Sequence, residues 1–86
     1  MKYEVELKPQ AIKDLKQITK TDARRVFDGL ENLKDDLKGD VKQLTNFTPE
    51  FRLRIGKYRI LFEIESDNNV VVYRIIHRKD AYKKRK

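Results

Sequence analysis

Arg52, Arg54, Lys57 and Arg59 crowd into the stretch FRLRIGKYRILFEI, with no acidic residue between the first and the last. Downstream, HRKDAYKKRK supplies His77, Arg78 and Tyr82. Side chains of these types suit the cleavage of RNA without a metal. There the ribose 2′-hydroxyl attacks the adjacent phosphorus, so one group removes a proton, a second neutralises the developing phosphorane, and a third protonates the leaving 5′-oxygen. Arginine fits the middle task because its planar fork binds two phosphate oxygens and stays charged, which makes Arg59, with Arg78, the candidate for transition-state stabilisation. Tyr82 offers a ring to stack on a base and a phenol to move a proton. His77 is the sole histidine, the side-chain type that titrates near neutrality, although a lone histidine at a strand end is more often structural. Arg52, Arg54 and Lys57 are assigned to holding RNA.

A metal site is not expected. Glu63, Glu65 and Asp67 stand at i, i+2 and i+4, but Arg59 shares their face and pairs more simply with Glu63. With no cysteine, disulfides and thiolate metal sites are excluded, and no cofactor is called for. The N-terminal MKYEVELKPQ has no apolar core of signal-peptide length, and no run approaches a membrane span. A soluble, cytoplasmic protein without a membrane partner is expected.

The charge that would recruit a polyanion is concentrated in one half. Residues 1–43 hold ten Lys/Arg against nine Asp/Glu, whereas residues 44–86 hold eleven against five, so the second half carries nearly all of the +7 net charge. The first half reads as scaffold. At 86 residues the chain is one domain, 1–86, with a short basic tail at 83–86 and little room for an enclosed pocket. Function therefore belongs on an open face.

The elements that position these residues follow from period. Tyr3, Val5 and Leu7 alternate with polar residues as a half-buried strand does, and Ala11, Ile12, Leu15 and Ile18 recur at helical spacing behind Pro9. Thr21 or Asp22 caps a second helix with the apolar set Ala23, Val26, Phe27, Leu30, Leu33 and Leu37, which Gly39 ends. From Phe51 the period is two: Phe51, Leu53 and Ile55, then a turn at Gly56-Lys57, then Tyr58, Ile60, Phe62 and Ile64. A turn at residues 66–69 leads into VVVYRII, apolar on both faces and so central in its sheet. The expected fold is α+β, order βααβββ: a two-helix hairpin on one face of a mainly antiparallel four-stranded sheet. Parity then sends Arg52, Arg54 and Arg59 to the face the helices leave open.

Two phrases, L-R-x-G-x-Y-R at Leu53 to Arg59 and H-R-x-D-x-Y at His77 to Tyr82, resemble the RelE branch of the RelE/ParE superfamily of bacterial and archaeal toxins. The resemblance runs from the first strand to Tyr82. It implies a ribosome-dependent messenger RNA endonuclease that inhibits translation and is held inactive by a cognate antitoxin in a hetero-oligomeric complex. It also implies cleavage roles for Arg52, Arg54, Arg59, Arg78 and Tyr82, with contacts to ribosomal RNA through the basic face. Two rivals share the features: a ParE-like toxin that poisons DNA gyrase, and a module that binds RNA without cutting it.

Overall fold

The computed structural model describes residues 2–44, 48–66 and 68–81. Its elements run β1 (Glu4–Leu7), α1 (Pro9–Lys16), α2 (Lys20–Lys34), β2 (Asp40–Gln43), β3 (Phe51–Ile55), β4 (Tyr58–Glu65), β5 (Asn69–His77) and α3 (Arg78–Ala81). The strands form one five-stranded sheet in the order β1-β5-β4-β3-β2. β1 runs parallel to β5, and the other three pairings are antiparallel. The four-stranded βααβββ expectation is thus corrected to a mixed five-stranded sheet with an additional strand and a closing helical turn.

β5 is central to three of these contacts, with β4 on one side, β1 on the other and α1 across its face, as its run of apolar residues requires. α2 lies against β1 and β3. Ala11, Val26, Leu30 and Leu33 from the helices meet Leu53, Ile60, Phe62, Val70, Val72 and Ile75 from the strands in one buried cluster. Gly29 lets α2 come close: a Cβ there would stand 2.2 Å from the Cδ1 of Ile55.

Three local expectations change. Thr19, rather than Thr21 or Asp22, caps α2, its hydroxyl accepting the Asp22 N–H at 3.2 Å. α2 stops at Lys34, because Asp35 and Asp36 would place two negative charges at the negative end of the helix dipole. Asp36 and Leu37 then take positive φ, 66° and 56°, and Leu37 reaches the core from this turn. Phe27 and Ile12, read as packing residues, are 51% and 41% exposed.

β5 contains an extra residue. Phe62 pairs with Val72 and Leu61 with Arg74, so Tyr73 is a bulge, and the Ile75 N–H is taken by Asp14 of α1 at 3.0 Å. The Asp14 carboxylate also accepts from Arg74 at 2.8 and 3.3 Å. Burial alone would raise this carboxyl, but the bonds from Arg74, Ile75 and Gln10 outweigh it and hold it below its ordinary value of 3.8. Removal of charge-assisted bonds at a bulge should cost about 1.5–3 kcal/mol, which urea unfolding of Asp14→Ala at neutral pH will measure. A depressed folded pKa stabilises above the unfolded pKa and loses that contribution as pH falls through the folded value. The difference between parent and Asp14→Asn should therefore shrink on acidification below about pH 4.

Candidate nucleic-acid interface

Leu53 is buried and Phe51 and Ile55 pack on the core, so Arg52 and Arg54 point to the side without helices. β3 turns into β4 at Gly56, whose φ of 56° suits glycine, and Lys57 is exposed at the tip. The register sets Arg54 directly opposite Arg59, Arg52 opposite Leu61, and from the edge strand β2 sets Lys42 opposite Arg52 and Asp40 opposite Arg54. Two arginines in direct opposition are a destabilising pairing for a sheet unless an anion sits between them.

The three core arginines are held differently. Arg59 donates from Nη1 to the carbonyls of Gly56 at 3.1 Å and Tyr58 at 3.0 Å, so the turn holds it rather than the expected partner Glu63. Glu63 instead accepts the Glu50 N–H at 2.8 Å. Arg52 lies along the sheet with its side chain 12% exposed, donates to the Asp40 carbonyl at 3.1 Å, and has a buried Nε without a partner among the described residues. Arg54 stands out, 57% exposed, with Nε 3.7 Å from an Asp40 carboxylate oxygen. Arg78 opens α3 and its N–H donates to the Lys57 carbonyl at 2.7 Å, which ties α3 to the turn beside Arg59. Tyr82 and the tail 83–86 lie outside the described residues, as does Asp67.

His77 is not brought to this group. It pairs with Tyr58, whose ring it meets edge-on at 5.8 Å, and Tyr58 shares the helix-facing side of β4 with Ile60. There burial, then a hydrogen bond to Asp22, pushes the Tyr58 phenol up. His77 Nδ1 accepts the Lys79 N–H at 3.2 Å and so shapes the entry to α3.

The open face is polarised. Toward β1 it carries Glu6, Glu63 and Glu65 around Tyr73, whose hydroxyl donates to Glu65 at 3.1 Å. That bond, then burial, then the charges of Glu65, Glu63 and Glu6 raise the phenol. Leu61 and Val71 are buried between the acidic and basic ends. Lys8 lies over the Tyr73 ring at 5.8 Å and Arg74 is paired with Asp14, so among the described residues of this face the clustered cations are Arg52, Arg54, Lys57 and Arg59 at the β3–β4 end. Among the described residues no three of His, Cys, Asp and Glu come together as metal ligands, and no helix is long and apolar enough to cross a membrane. Sequence reading missed Asp40 and Lys42, which belong to a strand with one apolar residue.

A two-helix layer over one side of a mixed sheet is an architecture that this chain shares with known toxins. The model for the ParE toxin of type II toxin–antitoxin systems matches residues 5–82, and the chain belongs to this family within the RelE/ParE toxin superfamily. Toxin RelE3 of Methanocaldococcus jannaschii is 33% identical over 76 residues, covering 83% of this chain and 85% of that protein. The fold matches the RelBE2 toxin–antitoxin complex of Mycobacterium tuberculosis with TM-score 0.78 and 26% identity, over 91% of this chain and all of that one (100%). It matches the RelB–RelE antitoxin–toxin complex of Methanococcus jannaschii with TM-score 0.74 and 26% identity, over 90% and 94% of the two chains. In sequence and in fold the chain is a type II toxin of RelE type.

Proposed function

We propose that this toxin is a messenger RNA endoribonuclease that acts on translating ribosomes in the cytoplasm by metal-independent attack of the 2′-hydroxyl. The observation that carries the reading is the direct opposition of Arg54 and Arg59 on a helix-free face, with Arg78 tied to the same turn. Arg59 has its guanidinium fixed at the turn and is assigned to the phosphorane. Arg54 and Arg52 hold the flanking phosphates, Lys57 adds charge at the tip, and Arg78 and Tyr82 complete the site from the C-terminal segment. His77, on the other side of the sheet, is assigned to the turn into α3 and not to proton transfer.

The solved relatives are toxin–antitoxin complexes. This chain is accordingly assigned a cognate antitoxin, whose acidic residues meet the basic end of the open face. The ParE description of the matching family favours a second reading, a toxin of the same fold that poisons DNA gyrase. A cell-free translation reaction separates them. With added toxin, primer extension should show new 5′ ends inside the translated region, absent when ribosomes are withheld. Intact message with halted supercoiling by gyrase would establish the second reading, and RNA binding with neither effect would leave a binding module.

A further inference from the structure

Asp40 is the hub of the basic end. Its carboxylate oxygens stand 3.5 Å from Arg52 Nη1 and 3.7 Å from Arg54 Nε, and its carbonyl accepts from Arg52 at 3.1 Å. It arrives there because β2 adds to the edge of β3 with Asp40 opposite Arg54. The two carboxylate distances are longer than charge-assisted hydrogen bonds, which run about 2.7–2.9 Å, so the carboxylate holds both guanidiniums by charge alone. A phosphate can make the shorter bonds. The carboxylate is also 55% exposed, so a phosphate can approach the two guanidiniums beside it from solvent. Arg52 meanwhile keeps a buried Nε that has no hydrogen-bond partner among the described residues.

We infer that Asp40 is a positioning residue: a built-in counter-ion that orients Arg52 and Arg54 by charge, leaves their hydrogen-bonding edges to the RNA phosphate, and stays beside them in the complex. The inference rests on the open face being the RNA site. A resident anion has two opposed effects. It repels the phosphate, which weakens binding, and it keeps the guanidiniums oriented on the flanking phosphates so that the scissile one is placed at Arg59, which speeds the chemical step.

Asp40→Asn, which preserves shape and the backbone bond to Arg52, therefore should move two readouts in opposite directions. Affinity for a short single-stranded RNA, measured by fluorescence anisotropy at low salt, should rise about threefold to fivefold, the effect of removing one charge near a phosphate in a water-like medium. The single-turnover rate of messenger cleavage on saturating ribosomes should fall about tenfold, a fraction of what larger misplacements cause. A merely structural role for Asp40 would worsen both, and simple repulsion would improve both, so movement in the same direction, or no change in either, overturns the proposal. Arg54→Ala is the control for the underlying reading. If it weakens RNA binding while Asp40→Asn changes nothing, the Asp40 assignment fails alone. If Arg54→Ala also leaves binding unchanged, the RNA site itself is misplaced and the proposal falls with it.

Discussion

Arg59→Ala is expected to lower single-turnover cleavage on saturating ribosomes by about a hundredfold or more, the cost typical of losing one preorganised donor to a developing oxyanion. The side chain is suited to that task by how it is held. Its Nη1 is anchored to the carbonyls of Gly56 and Tyr58, so one edge of the guanidinium is fixed and the other is available to a phosphate shared with Arg54 across the strand pair. The chain should still fold, since the Gly56 carbonyl stays exposed to water when its donor is lost. Arg59→Lys should recover part of the rate, because the charge returns without the fork. A correctly folded Arg59→Ala chain that cleaves at the parental rate would reduce the basic end to a docking surface.

The second large effect is on stability. Phe62 is completely buried, stacks on Phe51 with ring centres 5.6 Å apart and planes at 18°, and sits on β4 beside the bulge in β5. Phe62→Ala should cost about 3–5 kcal/mol. A chain of 86 residues has roughly 4–13 kcal/mol in total, so the variant should approach or cross its unfolding threshold. Phe27→Ala on α2, half-exposed, should stay within about 0.5 kcal/mol of the parent. Urea unfolding of the two side by side distinguishes a phenylalanine that holds the sheet to the helices from one that does not. Equal midpoints would contradict the core described here.

What the sequence revealed and what it concealed follow from range. The alternation in β3 and β4 fixed which side Arg52, Arg54 and Arg59 face, because period two and a buried Leu53 leave one solution. β2 was hidden because Val41 is its one apolar residue, and its strand character comes from pairing with β3. The parallel pairing of β1 with β5 joins Val5 to Val70, and nothing local in either strand encodes the partner or its direction. His77 shows how one residue redirects a site. Unbroken alternation from Val71 would carry Tyr73, Ile75 and His77 to the open face, but the bulge at Tyr73 inverts parity, so that Ile75 enters the core and His77 meets Tyr58. Phe27 looked like core from helical spacing alone, since α2 packs through the narrower stripe of Val26, Leu30 and Leu33.

The ends left on the cut message report which reaction made them. Attack by the 2′-hydroxyl, assisted by arginines and without a metal, leaves a 2′,3′-cyclic phosphate or its 3′-phosphate product on the upstream fragment and a 5′-hydroxyl on the downstream one. Messenger recovered from toxin-treated translating ribosomes should therefore resist ligation at its new 3′ ends until a phosphatase that opens cyclic phosphates is applied. Its new 5′ ends should accept label from a kinase directly. Fragments bearing 3′-hydroxyl and 5′-phosphate ends, or message that stays whole while ribosomes are occupied, would contradict the account.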